Sequence, residues 1–288
     1  AINDGAYSEP NSSRLASYES LVRRLVQTGV PVVQVILPVK RDVEADPPAR
    51  PLDASHKEIA AAYSLPVADA VLLAKQRVSE GKTTPDHLWD LPDDRTHPGD
   101  AGYALYAEAA WAAFERAISE KQQCRLPEKM LHADTYMRVN RFRLASSPAL
   151  PEGWQLGKPH RNAIAFDFVC SRWMDDLVIA GANTVPLRLK VQASDIMLFG
   201  EMTQKSGSVQ VRIDGGEAKT YSARCADGNM RLVEILAEGL DSTRNHEIAI
   251  TPILKQGEEL RIESICATGG PATVVIDSRL PSIARAEE

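Results

Sequence analysis

Cysteine is scarce in this chain: Cys124, Cys170, Cys225 and Cys266 stand 41 to 55 positions apart among 288 residues. None forms a Cys-x-x-Cys pair or has a histidine at ligand spacing, which argues against a zinc site. Free buried thiols are the expectation, and neither a metal nor an organic cofactor is expected. Positive charge is also short, with 33 Lys and Arg against 39 Asp and Glu for a formal net charge of −6. No stretch gathers cations into a stripe, so a phosphate backbone is disfavoured as a partner. Long apolar runs are missing too. The longest, residues 30–39, is interrupted by Pro31, Gln34 and Pro38 and falls far short of the roughly 20 residues that span a bilayer. A soluble protein is expected, with periplasmic and secreted locations left open.

Two further absences concern chemistry and the chain's start. Neither a Gly-Asp-Ser turn nor a Gly-x-Ser-x-Gly elbow, the settings that expose a nucleophilic serine, occurs in the 288 residues. Ala1 has no methionine before it and no cationic or signal-like apolar stretch after it. The first residues read as the end of a strand that begins elsewhere, so upstream sequence or a second chain is expected to complete it.

What is present suits two domains of ordinary size, since 44% of residues are hydrophobic. Residues 1–122 alternate helical and strand patterns. Ser12 or Ser13 can cap a helix whose Leu15, Tyr18, Leu21, Val22 and Leu25 recur at helical spacing, and Gly29 can end it. Residues 30–39 read as a strand buried on both faces, and residues 65–68 as a second, shorter one. Helices are expected from Asp53 to Tyr63, over 70–80 and over 101–120. The last would bury Leu105, Ala109, Ala112, Ala113 and Ala117 as a narrow stripe for close packing on a sheet. This alternation predicts an α/β fold, a parallel sheet flanked by helices, with sites beyond the carboxyl ends of the strands.

From about Leu131 the texture changes. Runs rich in β-formers occupy 163–169, 187–191, 195–199, 209–213, 232–236, 247–253, 260–265 and 273–276. Asp214-Gly215-Gly216 is a strong turn signal between two of them. An antiparallel β-sandwich is expected over 158–288, joined to the α/β portion by a connector over 123–157 that carries Pro127, Pro148 and Pro151.

Two Asp-x-x-His tetrapeptides stand out. In Asp53-Ala54-Ser55-His56 the acid precedes a helix and the ring falls in its first turn, so a capping Asp and a solvated His explain the pair. Asp94-Arg95-Thr96-His97 instead lies in a loop rich in Asp and Pro, and Pro98-Gly99-Asp100 turns from it into the last helix. There the spacing lets a carboxylate fold back onto the ring that it orients. The bland alternative is a surface loop with Asp100 as helix cap. Asn3, about ninety residues upstream, falls in a loop of the same kind.

Ala1-Ile2-Asn3-Asp4 and Asp94-Arg95-Thr96-His97 together resemble the SGNH (GDSL-type) hydrolases, the first the family's Gly-x-Asn-Asp block and the second its Asp-x-x-His block. The resemblance covers residues 1 to about 120, in motif order, distance and intervening helix-strand order. It implies the C-terminal portion of a flavodoxin-like α/β hydrolase domain. Ala1 stands where the family has Gly, and the blocks that carry the serine and an oxyanion-hole glycine are not among these residues.

The resemblance implies that His97 is the general base, that Asp94 fixes its tautomer and that Asn3 donates its amide to the oxyanion. The serine would come from an upstream segment or a separate chain. Asp4 and Tyr103 are read as a loop-bonding carboxylate and a packed ring. Family members with an accessory β-domain are often carbohydrate esterases, which makes an acylated carbohydrate the implied substrate. Trp89, five residues before Asp94, is a weak candidate for the wall of an acyl pocket, though packing beneath the loop explains it equally well. Trp154 and Trp173 read as core or interface residues that could also stack on sugar rings. The competing reading is a non-catalytic carbohydrate-binding or structural protein that works through its β-sandwich. A third is an unrelated α/β domain in which Asn3, Asp94 and His97 are scattered.

Overall fold

A computed structural model describes residues 6–148, 150–160, 173–226 and 228–277. Asn3, Asp4, Cys170 and the strand expected over 163–169 lie outside the described residues. The chain divides into two compact units, Ala1–Asp134 and Thr135–Glu288.

In the first unit helix α1 spans Ser12–Gln27. Its cap is Asn11, not Ser12 or Ser13: the Asn11 side chain accepts from the Arg14 N–H at 3.1 Å. An amide oxygen one residue earlier does the same work. Gly29, at φ 76°, carries the chain out of the helix through the left-handed region that glycine tolerates. Strand β1 is only Gln34–Ile36 and pairs in parallel with β2, Val67–Asp69. The expected ten-residue strand is cut short because Pro31 and Pro38 flank it and lack the N–H that a ladder needs. The expected parallel sheet is therefore present as a two-stranded sheet among the described residues.

Helices cover both faces of that small sheet. On one, Leu15, Val22 and Val26 of α1 meet Leu52, Ile59 and Ala60 of α2, Pro51–Ala62, with Val32 and Val67 packed against them. On the other, α3, Ala70–Ser79, and α5, Asp100–Ser119, pack Ala70, Ala74, Leu105, Ala109 and Ala113 around Val35 and Ala68. One turn of helix, α4, Pro85–Leu88, leads into the loop that ends at α5. Ala112, expected in the α5 stripe, is exposed. Gly102, Leu105, Ala109, Ala113 and Ala117 already fill the face toward the sheet.

The second unit is a pair of antiparallel sheets. One has the strand order β10-β7-β12-β5-β4, with β3 also pairing β12; the other has the order β13-β6-β11-β8-β9. Their ranges are β3 Val139–Arg143, β4 Trp154–Gly157, β5 Leu177–Ala180, β6 Leu187–Gln192, β7 Asp195–Thr203, β8 Ser208–Ile213, β9 Lys219–Ser222, β10 Asn229–Ala237, β11 His246–Ile253, β12 Leu260–Thr268 and β13 Thr273–Ile276. Residues 123–134 belong to the first unit, and β3 and β4 come from the remainder of the 123–157 stretch. Alternating apolar residues such as Leu187, Leu189 and Val191 of β6 and Ile196 and Leu198 of β7 make the core between the sheets. Asp214 and Gly215, at φ 50° and 69°, form the turn between β8 and β9, closed by the Gly216 N–H on the Ile213 carbonyl at 2.9 Å. Two successive positive φ values are what a tight hairpin needs, and Asp-Gly supplies them at low cost.

Candidate active site

The loop from Trp89 to Gly99 is pinned at both ends. Gly99 donates its N–H to the Leu88 carbonyl at 3.0 Å and starts α5 as its N-cap. Where α5 begins, Gly102 allows a close approach that no other residue would: an added Cβ would lie 2.3 Å from Pro98 Cβ and 2.6 Å from the Leu88 oxygen. Trp89 is 2% exposed and donates its indole N–H to the Thr96 carbonyl at 3.4 Å. Its ring supports the loop from beneath instead of presenting a face to solvent.

Within this loop Asp94 and His97 come together. The Asp94 Oδ1 accepts the backbone N–H groups of Thr96 and His97, each at 2.8 Å, and its Oδ2 lies 2.8 Å from His97 Nδ1. An Asx turn thus closes on the ring it orients. Three donors on one carboxylate favour its charged form, and the Asp94 pKa falls to about 2, chiefly through the His97 backbone and ring bonds and then the Thr96 bond. The ring nitrogen facing a carboxylate carries the proton, which leaves Nε2 of the neutral imidazole as the acceptor. The His97 side chain is 67% exposed. The arrangement is therefore a pre-oriented base open to solvent, able to take a proton from a hydroxyl placed at its outer nitrogen.

Its position in the fold suits that chemistry. Lys40, just past the carboxyl end of β1, donates its N–H to the Arg95 carbonyl at 3.0 Å. The Arg95 guanidinium pairs with both Glu44 carboxylate oxygens at 2.6 Å. The acid-base pair thus sits beyond the carboxyl end of a parallel strand, where sites form in open α/β sheets. A cavity of about 620 Å³ lies at the other end of β1, lined by residues such as Val30, Val33, Phe114 and Ile118. Neither Asp94 nor His97 touches it.

The other candidates have different settings. Tyr103, 53% exposed, meets Tyr106 edge to face at 6.0 Å. Asp53 and His56 are not a cap and a solvated ring. Asp53 lies inside α2 and pairs with Arg50 at 2.5 Å, while His56 is 3% exposed and stacks on Tyr18 of α1 at 4.1 Å. The second Asp-x-x-His is therefore a packing feature. In the second unit Trp154 is buried, its indole donating to the Val185 carbonyl at 2.9 Å, whereas Trp173 is 45% exposed beside the Arg231 guanidinium, 5.2 Å from the ring centre. No group of three or more His, Cys, Asp or Glu side chains suited to holding a metal ion occurs among the described residues.

A buried cluster that sequence reasoning missed stands at the end of β1. Asp42, fully buried, accepts the Tyr7 hydroxyl at 2.8 Å, the Val39 N–H at 2.8 Å and Arg50 Nη1 at 2.6 Å. Arg50 also reaches the Leu37 carbonyl at 3.0 Å. Burial against this carboxylate raises the Tyr7 pKa. Arg50 lies just before Pro51, the first residue of α2, a place where the sequence suggests only a helix start.

No protein-family model matches the chain, and no curated protein matches its sequence. Two solved structures of a two-domain esterase active on acetylated mannans, one co-crystallised with mannopentaose, share its fold. They are 18% identical, with a TM-score of 0.66 in each case. The matches cover 91% and 92% of this chain and 70% and 71% of theirs. A family two carbohydrate esterase from Cellvibrio japonicus matches at 16% identity over 46% of this chain and 34% of its own, with a TM-score of 0.32, too low to carry an argument. At such identities the likeness is one of fold. Among the described residues, no helix is long and apolar enough to cross a membrane.

Proposed function

We propose that this chain is part of a serine-dependent carbohydrate esterase of the SGNH type that removes acetyl or other short acyl groups. The observation that carries the reading is the 2.8 Å bond between His97 Nδ1 and Asp94 Oδ2 at the carboxyl end of a parallel strand. The fold shared with an esterase active on acetylated mannans supports it and makes an acetylated mannan the first substrate to try. The 288 residues hold no Gly-Asp-Ser motif, and in this reading the nucleophile comes from an upstream segment or a separate chain.

The serine Oγ attacks the acyl carbonyl while His97 Nε2 takes its proton, and Asp94 stabilises the imidazolium that forms. Asn3 donates its side-chain amide to the oxyanion, a contact whose loss in such sites costs about 2.7–4 kcal/mol. Collapse of the tetrahedral intermediate breaks the ester bond, and His97 returns the proton to the departing sugar hydroxyl. Water then repeats the sequence on the acyl-serine and frees the acid.

The competing reading is a non-catalytic carbohydrate-binding protein, favoured by the exposed ring of Trp173 on the second unit. Hydrolysis of a chromogenic acetyl ester and of acetylated mannan, measured with the serine-bearing segment or chain present and with and without a serine-directed phosphonate, separates the two. Phosphonate-sensitive release of acetate, with the adduct mapped by mass spectrometry to a serine beside His97, is expected. Binding of mannan with neither hydrolysis nor adduct would replace the esterase reading with the binding one.

A further inference from the structure

Two exposed side chains on a loop cannot hold their position by burial. The side chains of His97 and Asp94 are 67% and 36% exposed. The loop is held by Trp89 beneath it, by its two ends, and by the turn that follows β1. That turn is a single 3-10 helical turn, Lys40–Val43, an element that is weak alone. It touches the loop through one backbone bond, Lys40 N–H to the Arg95 carbonyl, and one surface ion pair, Glu44 with Arg95. Arg95 lies between the carboxylate of Asp94 and the Thr96 N–H that this carboxylate accepts. Any shift of the turn therefore drags on the geometry of the acid-base pair.

What makes the turn rigid is Asp42. Its Oδ2 accepts the Val39 N–H and Arg50 Nη1, its Oδ1 the Tyr7 hydroxyl, and its side chain is wholly buried. The Arg50 side chain, 6% exposed, ties this carboxylate to Asp53 of α2 and to the Leu37 carbonyl. A buried ion pair seldom stabilises more than an apolar pair of the same volume, so the gain from this one lies in geometry. Its planar fork fixes strand end, turn and helix start as one body.

Resting on the hydrolase reading given above, we infer that Asp42, held by Arg50, is the positioning residue that sets the Asp94–His97 geometry through the 37–44 turn. It touches neither member of the pair and acts through Lys40 and Arg95.

The test compares the full chain with Asp42→Asn and Arg50→Lys, following the Asp94 carboxyl by 13C NMR against pH, with Tm and circular dichroism as controls for folding. In the native chain Asp94 titrates at about 2 because three donors hold its charge. In either folded variant the midpoint is expected to rise by about one pH unit toward the ordinary carboxylate value, as the Thr96 and His97 bonds loosen. A merely structural Asp42 would lower Tm and leave that midpoint in place, which overturns the inference. If Asp42→Asn does not fold, Arg50→Lys, which keeps the charge and loses the fork, decides by the same readout. In an active preparation the folded variants are expected to lose about tenfold or more in kcat with KM within about twofold. Hydrolysis plays no part in the NMR result, so a protein that stays inert with the serine-bearing segment or chain present refutes the hydrolase reading and leaves the positioning role to the titration.

Discussion

His97 is bound to Asp94 twice: its ring Nδ1 meets Oδ2 and its own backbone N–H meets Oδ1, both at 2.8 Å. One carboxylate therefore sets the ring's place on the backbone and its tautomer together. A triad acid drawn from a distant part of the fold would control only the second.

That double bond sets the cost of changing the acid. Asp94→Asn puts an amide where His97 Nδ1 needs an acceptor and favours the wrong tautomer, a change that costs about 10⁴-fold in kcat in serine triads. His97→Ala is expected to lose at least as much. Kinetics on a short acetyl ester check both; native kcat in the Asp94→Asn variant would remove Asp94 from the mechanism.

The pH dependence follows from the sign of the Asp94 shift. Its folded pKa, about 2, lies below the ordinary value of 3.8. The ionised form is thus favoured by the fold, its stabilising contribution is complete above about pH 4, and it fades as pH falls through 2. Acid unfolding followed by circular dichroism should therefore lose part of its pH dependence below about pH 4 in Asp94→Asn. An unchanged pH dependence in that variant would contradict the shift.

Gly102→Ala tests the close approach at the start of α5. The new Cβ meets Pro98 Cβ at 2.3 Å and the Leu88 oxygen at 2.6 Å, and neither belongs to a flexible side-chain end. Overpacking of this kind costs about 1–3 kcal/mol despite the better helix propensity of alanine. Urea denaturation should show the loss, and an unchanged midpoint would mean that the turn relaxes freely.

The second unit has its own buried ion pair. Glu201 of β7 is fully buried and accepts from Arg261 of β12 at 2.7 Å and from Asn229 of β10 at 3.0 Å. Arg261→Met removes the buried cation, leaving Asn229 and His160 as the carboxylate's partners, and should cost about 3–5 kcal/mol. The double variant Arg261→Met with Glu201→Gln should recover part of that loss. If chemical denaturation gave equal midpoints for single variant and native chain, the pair would contribute nothing.

Several features were legible in the residues alone because their causes are local. The Asp94–His97 spacing closes over three residues of loop, Asp214-Gly215 supplies two positive φ values in a row, and β6 alternates its apolar side chains with the pleat. The roles of Asp53 and His56 were misread for the opposite reason. Their spacing matches the other pair, but Arg50 draws the acid away and Tyr18, on a separate helix, covers the ring. Nothing at the level of tetrapeptides distinguishes the two cases, since the difference lies in which distant element packs on each.

Short-range stereochemistry was sufficient for many of the elements themselves: helical spacing for α1 and α5, and turn residues for the β8–β9 hairpin. Long-range packing settled the rest. Strand partners such as β3 beside β12 depend on register between segments more than a hundred residues apart, as in the pairing of Arg143 with Ser264. The buried Asp42 gathers Tyr7 and Arg50, 35 and 8 positions away, around one carboxylate. Desolvating a charge is tolerable only when its partners arrive together, and their arrival is a property of the folded chain, invisible in any window of its sequence.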